Sequence, residues 1–271
     1  MLREPCLLAN LTWPAIAELV RSGHDLAVLP VGATEQHGRH LPVSTDTEIA
    51  DAICREASRR TGVPLLPTLA VSSSQAHTSK WPGTLALPPR LVIDVVANLA
   101  SWVYASGFRK LLIVNAHVGN LGPLKVAVDE IRHDGRLRVG LLHWYQLTPE
   151  IDAVLTADAD DWHAHAAETA LMLHLRPELV DFAEVSDDPD RTQGLVFSYT
   201  VAETSADGLT GAPSRATAEQ GAALFEAAVA ALVERIEAGR REQPPELSCA
   251  AFTGPCTREA GGRAAGRDAL R

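Results

Sequence analysis

The stretch LAVLPVGATEQHGRHLPVSTD (Leu26–Asp46) begins as an apolar run and ends in a polar cluster. Its first six residues predict a buried strand, and three more apolar runs predict strands: Val63–Val71, Leu111–Val114 and Val139–Leu142. Segments with helical periodicity alternate with these runs: Thr47–Arg60, Pro89–Ser106 and Leu121–His133. This alternation is typical of an α/β fold with a mostly parallel central sheet and helices on both faces.

The remainder of the chain is less regular. We expect a helix from about Ala164 to Leu175, a possible strand at Leu195–Val201, and a long Ala-rich helix from Ser214 to about Gly239. The sequence after this helix is rich in Gly, Pro and Arg and has no periodicity. We therefore expect a single domain over residues 1–240, followed by a flexible tail over residues 241–271.

Composition excludes several classes of protein. The 271 residues are 46% hydrophobic and 21% charged, as in globular proteins. With 24 Lys and Arg against 34 Asp and Glu, the net charge is -10, which argues against a nucleic-acid partner. The four cysteines (Cys6, Cys54, Cys249 and Cys256) form no CxxC pair, so we expect a reducing, cytoplasmic location. No apolar run is long enough to predict a membrane span.

The polar half of the opening stretch contains candidate metal ligands. Glu35 and His37 are two residues apart, so an extended chain projects them to the same side. Asp46 lies at the positive end of the next predicted helix. Ligands bind beyond the carboxyl ends of strands in open α/β sheets, and carboxylates with imidazoles suit a divalent cation. The alternative is a polar surface loop with a capping Asp.

Two more histidine clusters follow predicted strands or begin helices. In NAHVGN (115–120), His117 comes just after a strand and either lies at the same sheet edge or merely closes a turn. In WHAHAAET (162–169), His165 and Glu168 share a helical face. His163 converges with Glu168 only from a loop before the helix, so geometry alone favours His165 as its partner. A polar surface helix is the alternative.

Aromatic residues near these clusters are candidates for substrate binding. His77 and Trp81, in SSSQAHTSKWPGT (72–84), are expected at a pocket mouth. Trp162 is expected beside them, and Trp144 is either an aromatic wall or part of the core. Dinucleotide, Walker A and serine-hydrolase motifs are missing from the sequence.

Five segments in order resemble the motifs of the creatininase family. PVGATEQHGRHLPVSTD resembles the family signature, NAHVGN its NGHGGN segment, HAHAAETALML its HAGxxETS segment, and HTSKWPGT its HxxFPGT segment. GLTGAPSRATAEQG resembles the late Gly-x-x-Gly-x-Pro stretch, so that the resemblance runs from about Leu7 to Ile236. It implies a three-layer α/β/α fold, a homo-oligomer that is often a hexamer, and two divalent metal ions per subunit, zinc first, with manganese or iron as alternatives.

Carried over residue by residue, the resemblance implies a ligand set. Glu35 and His117 resemble ligands of one metal, His37 a ligand of the other, and Asp46 the bridge. Creatininase itself has a Glu ligand where this chain has Gly119. We assign that role to Glu168.

The resemblance also assigns the proton shuttle. His163 matches the catalytic His of the family, in contrast to the geometric preference for His165, which we keep as a supporting group behind the ligands. The implied reaction is hydrolysis of the C–N bond of a small cyclic amide, formamide or related amide by water activated by two metals, with His163 protonating the leaving nitrogen.

The missing Glu at position 119 argues against creatinine as the substrate. The alternatives are a peptidase that trims a small modified peptide, as in mycofactocin maturation, and a metal-bound scaffold without turnover.

Overall fold

The structure is a computed structural model that describes residues 4–245. Residues 4–241 form one compact unit. The predicted tail, apart from residues 241–245, lies outside the described residues. The strands are β1 Leu26–Val31, β2 Lys110–Asn115 and β3 Arg138–His143. The helices are α1 Trp13–Arg21, α2 Thr45–Thr61, α3 Pro89–Ala105, α4 Leu121–Asp134, α5 Pro149–Leu155, α6 Ala166–Leu175, α7 Val201–Thr204 and α8 Ala218–Arg241.

The strands form a parallel sheet in the order β1-β2-β3. Their register pairs Val31 with Asn115, and Asn115 with His143, so the carboxyl ends of all three lie level with one another. The loops that leave these ends therefore meet at one edge, as expected for ligand sites in α/β sheets.

Alternate residues of β1 supply two separate cores. Leu26 and Val28 pack with apolar residues of α2, α6 and α8, whereas Ala27 and Leu29 pack with those of α3 and α4. Successive side chains of a strand point to opposite faces, so helices cover both faces of the sheet. This arrangement confirms the predicted α/β class with a parallel sheet. No helix among the described residues is both long and apolar enough to cross a membrane.

The predicted strand at Val63–Val71 is wrong as a continuous element. Only isolated parallel bridges form beside β1, from Leu65 to Val28 and from Leu69 to Val31. Pro67 lies between the two bridges and interrupts the ladder, because proline has no amide hydrogen to donate. The segment still lies along the edge of β1, since the amide of Leu69 donates to the carbonyl of Pro30 at 3.0 Å.

The predicted strand at Leu195–Val201 is also wrong. Most of this segment is irregular, and Val201 begins the short helix α7, which a capping box between Thr200 and Glu203 initiates. Strand formation requires a neighbouring strand for the backbone hydrogen bonds, and this segment pairs with none in the described part of the chain. Its apolar side chains stay exposed, with Val196 at 88%.

Candidate metal centre

Loops and helix starts at the carboxyl edge of the sheet bring the predicted ligands together. Glu35 and His37 come from the loop after β1, Asp46 from the first turn of α2, His117 from the loop after β2, and Glu168 from the first turn of α6. All of them are buried, with none more than 6% exposed. The parallel register and these two helix starts place residues far apart in sequence around one point.

One group of possible ligands consists of Glu35, Asp46 and His117. Glu35 Oε2 lies 3.2 Å from His117 Nε2, and Asp46 Oδ2 lies 3.4 Å from His117 Nδ1. Each residue offers one nitrogen or oxygen atom, and these atoms lie within 4.8 Å of one another. That spacing matches ligand atoms gathered around a single ion.

A second group consists of His37, Asp46 and Glu168. His37 Nε2 lies 3.5 Å from Asp46 Oδ1 and 3.8 Å from Glu168 Oε1. Asp46 belongs to both groups and uses a different oxygen towards each histidine. A shared carboxylate between two ligand groups is the geometry of a two-metal site.

Backbone carbonyls orient both histidines. His37 Nδ1 donates to the carbonyl of Glu35 at 3.0 Å, and His117 Nε2 donates to the carbonyl of Ser73 at 2.8 Å. A carbonyl oxygen only accepts, so these nitrogens carry the hydrogen. The opposite nitrogens, His37 Nε2 and His117 Nδ1, are then lone-pair donors that face Asp46. Metal-binding histidines commonly have this arrangement.

Several atoms of the two ligand groups lack hydrogen-bond partners. Both carboxylate oxygens of Glu35, Oδ2 of Asp46 and Nε2 of His37 are buried and form no hydrogen bond within the described part of the chain. Each such group costs about 1–3 kcal/mol. Oxygen and imidazole nitrogen donors suit zinc or manganese, so the residues fit divalent ions.

The electrostatics also favour a cation. Burial raises the pKa of Asp46 to about 6, and the charge of Glu35 contributes to the same rise. Burial works against the protonated form of His117, but Glu35 and Asp46 outweigh it and raise the pKa of His117 to about 9. The crowded carboxylates thus require positive charge, which either imidazole protons or divalent ions provide.

His163 faces the cavity. It lies in the loop before α6, where its backbone pairs with Thr210. His163 Nε2 donates to the carbonyl of Gln36 at 2.9 Å, and Nδ1 faces Glu35 Oε1 at 3.8 Å. Burial, followed by the neighbouring His77 and His37, holds the pKa of His163 well below its usual range. His163 is therefore neutral, with a lone pair towards the site.

His165 points elsewhere. Its Nδ1 lies 3.2 Å from Glu168 Oε2, as the helical spacing predicts, and its ring is 0% exposed. Ala164, between the two histidines, has a φ of 50°, in the left-handed region. This backbone conformation sends the neighbouring side chains in different directions, so His163 lines the cavity and His165 lies behind Glu168.

The predicted substrate-binding residues divide into two sets. His77 and Trp162 line the cavity of about 180 Å³ beside the ligand groups, and His77 Nε2 lies 3.2 Å from Glu35 Oε1. Trp81 is not among the lining residues, and the ammonium of Lys80 packs 4.4 Å from its ring centre. Trp144 is 1% exposed in the core, so its assignment to the substrate is wrong.

Two residues at the site were not predicted. Gln36 is 4% exposed, and its amide donates to the carbonyl of Gly208 at 2.8 Å and to His77 Nδ1 at 3.1 Å. Because Gln36 lies between two predicted ligands in the sequence, its place at the site could have been predicted. Tyr199 also lines the cavity. It was missed because its segment was predicted to be a strand rather than a loop beside the site.

Known proteins resemble this chain over most of its length. The model of the family described as creatininase, creatinine amidohydrolase, matches residues 9–236. Creatinine amidohydrolase of Pseudomonas putida is 29% identical, over 88% of this chain and 97% of the relative. The mycofactocin precursor peptide peptidase of Mycobacterium tuberculosis is 32% identical, over 77% of this chain and 83% of the relative.

Solved structures agree with the sequence relatives. A manganese form of creatininase superposes with a TM-score of 0.77 at 28% identity, covering 88% of this chain and all of the other. A Zn–Zn form of a creatininase point mutant gives a TM-score of 0.76 at 28% identity, covering 87% of this chain and 98% of the other. Together with the buried carboxylates and imidazoles, these likenesses support divalent metal binding. The family match, the shared fold and the ordered motifs together establish that the chain belongs to the creatininase family of hydrolases, which includes enzymes that act on carbon–nitrogen bonds.

Proposed function

We propose that this protein is a metal-dependent amidohydrolase that cleaves the C–N bond of a small cyclic amide, a formamide or a related amide. The observation that carries this proposal is the position of Asp46, whose two oxygens face two different ligand groups. A non-catalytic scaffold has no need for paired ligand groups with a neutral histidine facing them from a cavity.

Two divalent ions per subunit are the proposed cofactors. Glu35, Asp46 and His117 would hold one, and His37, Asp46 and Glu168 the other. Zinc is our first choice, with manganese or iron as alternatives, because solved creatininases include a Zn–Zn and a manganese form. When bound, such ions supply a nucleophilic water at neutral pH and polarise a carbonyl group.

The chain's own residues would handle the proton. His163 Nδ1 has a free lone pair towards the cavity, because Nε2 donates to the carbonyl of Gln36. Nδ1 can therefore take up a proton released in the cavity and deliver it to the leaving nitrogen. The hydrogen bond from Nε2 keeps the ring in this orientation.

The cavity favours an uncharged substrate. Its lining combines carboxylates and imidazoles with Val118, Trp162 and Tyr199, and includes no Lys or Arg from the described residues. Phosphate groups are usually bound by these cationic side chains. Apart from the two proposed ions, the described lining therefore offers no cationic side chain to a substrate phosphate, which favours an amide without one.

A peptidase is the second candidate, and one feature favours it. Tyr199 and Val201 line the cavity and continue into an exposed apolar segment, in which Val196 is 88% and Phe197 75% exposed. Such a surface suits an extended apolar substrate such as a peptide. Release of a free dipeptide from a peptide panel, without hydrolysis of formamides or cyclic amides, would select this candidate.

Assembly and location are proposals as well. Trp13 and Trp102 are 81% and 68% exposed, and apolar surface of this kind supports association into a homo-oligomer, with a hexamer as the expected state. Light scattering that gives a monomer would contradict it. A cytoplasmic location stays a prediction from the scattered cysteines.

Elemental analysis of the purified protein tests the metal assignment. We expect about two equivalents per subunit in the wild type, as in other two-metal hydrolases, and a sharp fall in Asp46→Ala. His163→Ala should keep both ions and lose about 10²–10⁴-fold in turnover, because it removes only a proton carrier. Equal metal loss in both variants would contradict these roles. A fully metallated wild type without activity on amides, formamides or peptides would favour the scaffold.

A further inference from the structure

The structure assigns a positioning role to His165: its hydrogen bond to one oxygen of Glu168 fixes which oxygen that carboxylate presents to the second metal ion. The inference rests on the proposed function. His165 stands where the family segment quoted above has Gly, so the interaction comes from this chain's own sequence.

The backbone places His165 for this role. It immediately precedes α6, with φ −88° and ψ −170°, while Glu168 lies in the first turn of the helix. The left-handed conformation of Ala164 turns His165 away from the cavity that His163 lines. Gly211 leaves the room for it, since a Cβ on that residue would lie 2.6 Å from the Cβ of His165.

Packing holds the ring still. The imidazole is 0% exposed and stacks on Trp162, with ring centroids 4.7 Å apart and an interplanar angle of 25°. Nε2 has no hydrogen-bond partner in the described part of the chain. An unpaired buried nitrogen is costly, so the one polar contact of the ring, to Glu168, is the contact that accounts for a histidine here.

That contact divides the two oxygens of Glu168. An ionised carboxylate only accepts hydrogen bonds, so His165 Nδ1 carries the hydrogen and donates to Oε2 at 3.2 Å. Oε1 remains, facing His37 Nε2 at 3.8 Å. His165 thus leaves Oε1 as the oxygen for the ion and stops the carboxylate from rotating.

The second ligand group depends on this orientation. It consists of His37, Asp46 and Glu168, and Asp46 is shared with the first group. Glu168 is therefore the carboxylate that serves the second group alone. Its position therefore decides the affinity of that site, and His165 sets the position.

The test compares variants with and without a donor. Metal-free protein is titrated with Zn²⁺ in competition with a chromogenic chelator. His165→Phe keeps an aromatic ring against Trp162 but removes the hydrogen-bond donor. His165→Asn places an amide nitrogen near the position of Nδ1. His40→Phe is the matched control, because His40 is equally buried and bonds to Thr169 rather than to a carboxylate.

We expect His165→Phe to lower the affinity for one of the two zinc ions by about 10–100-fold, which is the usual effect of losing a group that orients a ligand. The other ion should bind as in the wild type, and His165→Asn should recover most of the loss. His40→Phe should bind both ions normally. If His165→Phe does not fold, His165→Leu provides a smaller donor-free side chain.

Wild-type affinities for both ions in His165→Phe would overturn the inference. Equal weakening in His165→Phe and His165→Asn would also overturn it, since packing rather than the hydrogen bond would then be responsible. If the wild type bound no zinc, the proposed function would fail and this role with it. Normal wild-type binding with an unchanged His165→Phe affinity removes only the role of His165.

Discussion

Gly119→Ala provides a sharp test of how the first ligand group is built. An added Cβ would lie 2.5 Å from the carbonyl oxygen of Ser73 and would collide with the ring of His117. His117 Nε2 donates to that same carbonyl at 2.8 Å, which orients Nδ1 towards Asp46. One methyl group therefore pushes apart the two partners of the hydrogen bond that orients a ligand.

The expected magnitude follows from these contacts. Overpacking of a tight site costs about 1–3 kcal/mol, and loss of the bond between His117 and Ser73 costs about 0.5–1.5 kcal/mol. Replacing Gly by Ala also stabilises the folded state by about 0.4–1 kcal/mol, because it reduces the conformational entropy of the unfolded chain. Together, these contributions predict that the free energy of unfolding falls by about 0.5–4 kcal/mol. Zinc affinity should fall by about 10–100-fold as His117 loses its orientation.

Urea unfolding of the metal-free protein and zinc titration measure the two effects. Gly122→Ala is the matched control, because it lies three residues further on, in the first turn of α4, with nothing within 4 Å of an added Cβ. We expect it to match or slightly exceed the wild type in stability. If Gly119→Ala resembled Gly122→Ala in both measurements, the close packing described for His117 would be refuted.

Three other predictions concern residues around the site. Gly221→Ala should lower the free energy of unfolding, measured in urea, by about 1–3 kcal/mol, because the added Cβ would overlap the backbone of α6. Gly239→Ala is the control, because no atom lies within 4 Å of its added Cβ, and it should leave the stability unchanged. Equal effects of the two substitutions would contradict this prediction. Gln36→Leu should lower the free energy of unfolding by about 1–3 kcal/mol and should also lower turnover, because His77 and the buried carbonyl of Gly208 lose their hydrogen-bond donor. A variant with the urea midpoint and the turnover of the wild type would exclude this role. The hydrogen bond from Arg59 holds the pKa of Glu56 at about 2, so its stabilisation is present above about pH 4.5 and is lost as the pH falls towards 2. The fall in Tm between about pH 6 and pH 3 should therefore be smaller in Glu56→Gln than in the wild type. An equal fall in both proteins would contradict this stabilising role of Glu56.

Part of the site could be predicted because it depends on the order of strands, helices and polar residues along the chain. Each predicted metal ligand follows a strand or begins a helix, and parallel strands end at one edge whatever lies between them in the chain. The pairing of His165 with Glu168 followed from helical spacing alone. The prolines near Leu65 were visible too, but the apolar composition of Val63–Val71 outweighed them in the prediction of a strand.

The sequence by itself determined the fold class, the strand and helix order, and the types of group gathered at the sheet edge, because apolar periodicity and chain order are local properties. Only the tertiary structure decided which nitrogen of His117 faces Asp46, since the carbonyl that selects it belongs to Ser73, 44 residues away. It also decided that His163 faces the cavity while His165 lies behind Glu168, through one left-handed residue that no spacing predicts. Side-chain direction depends on contacts between distant segments, and those contacts form only when the chain folds.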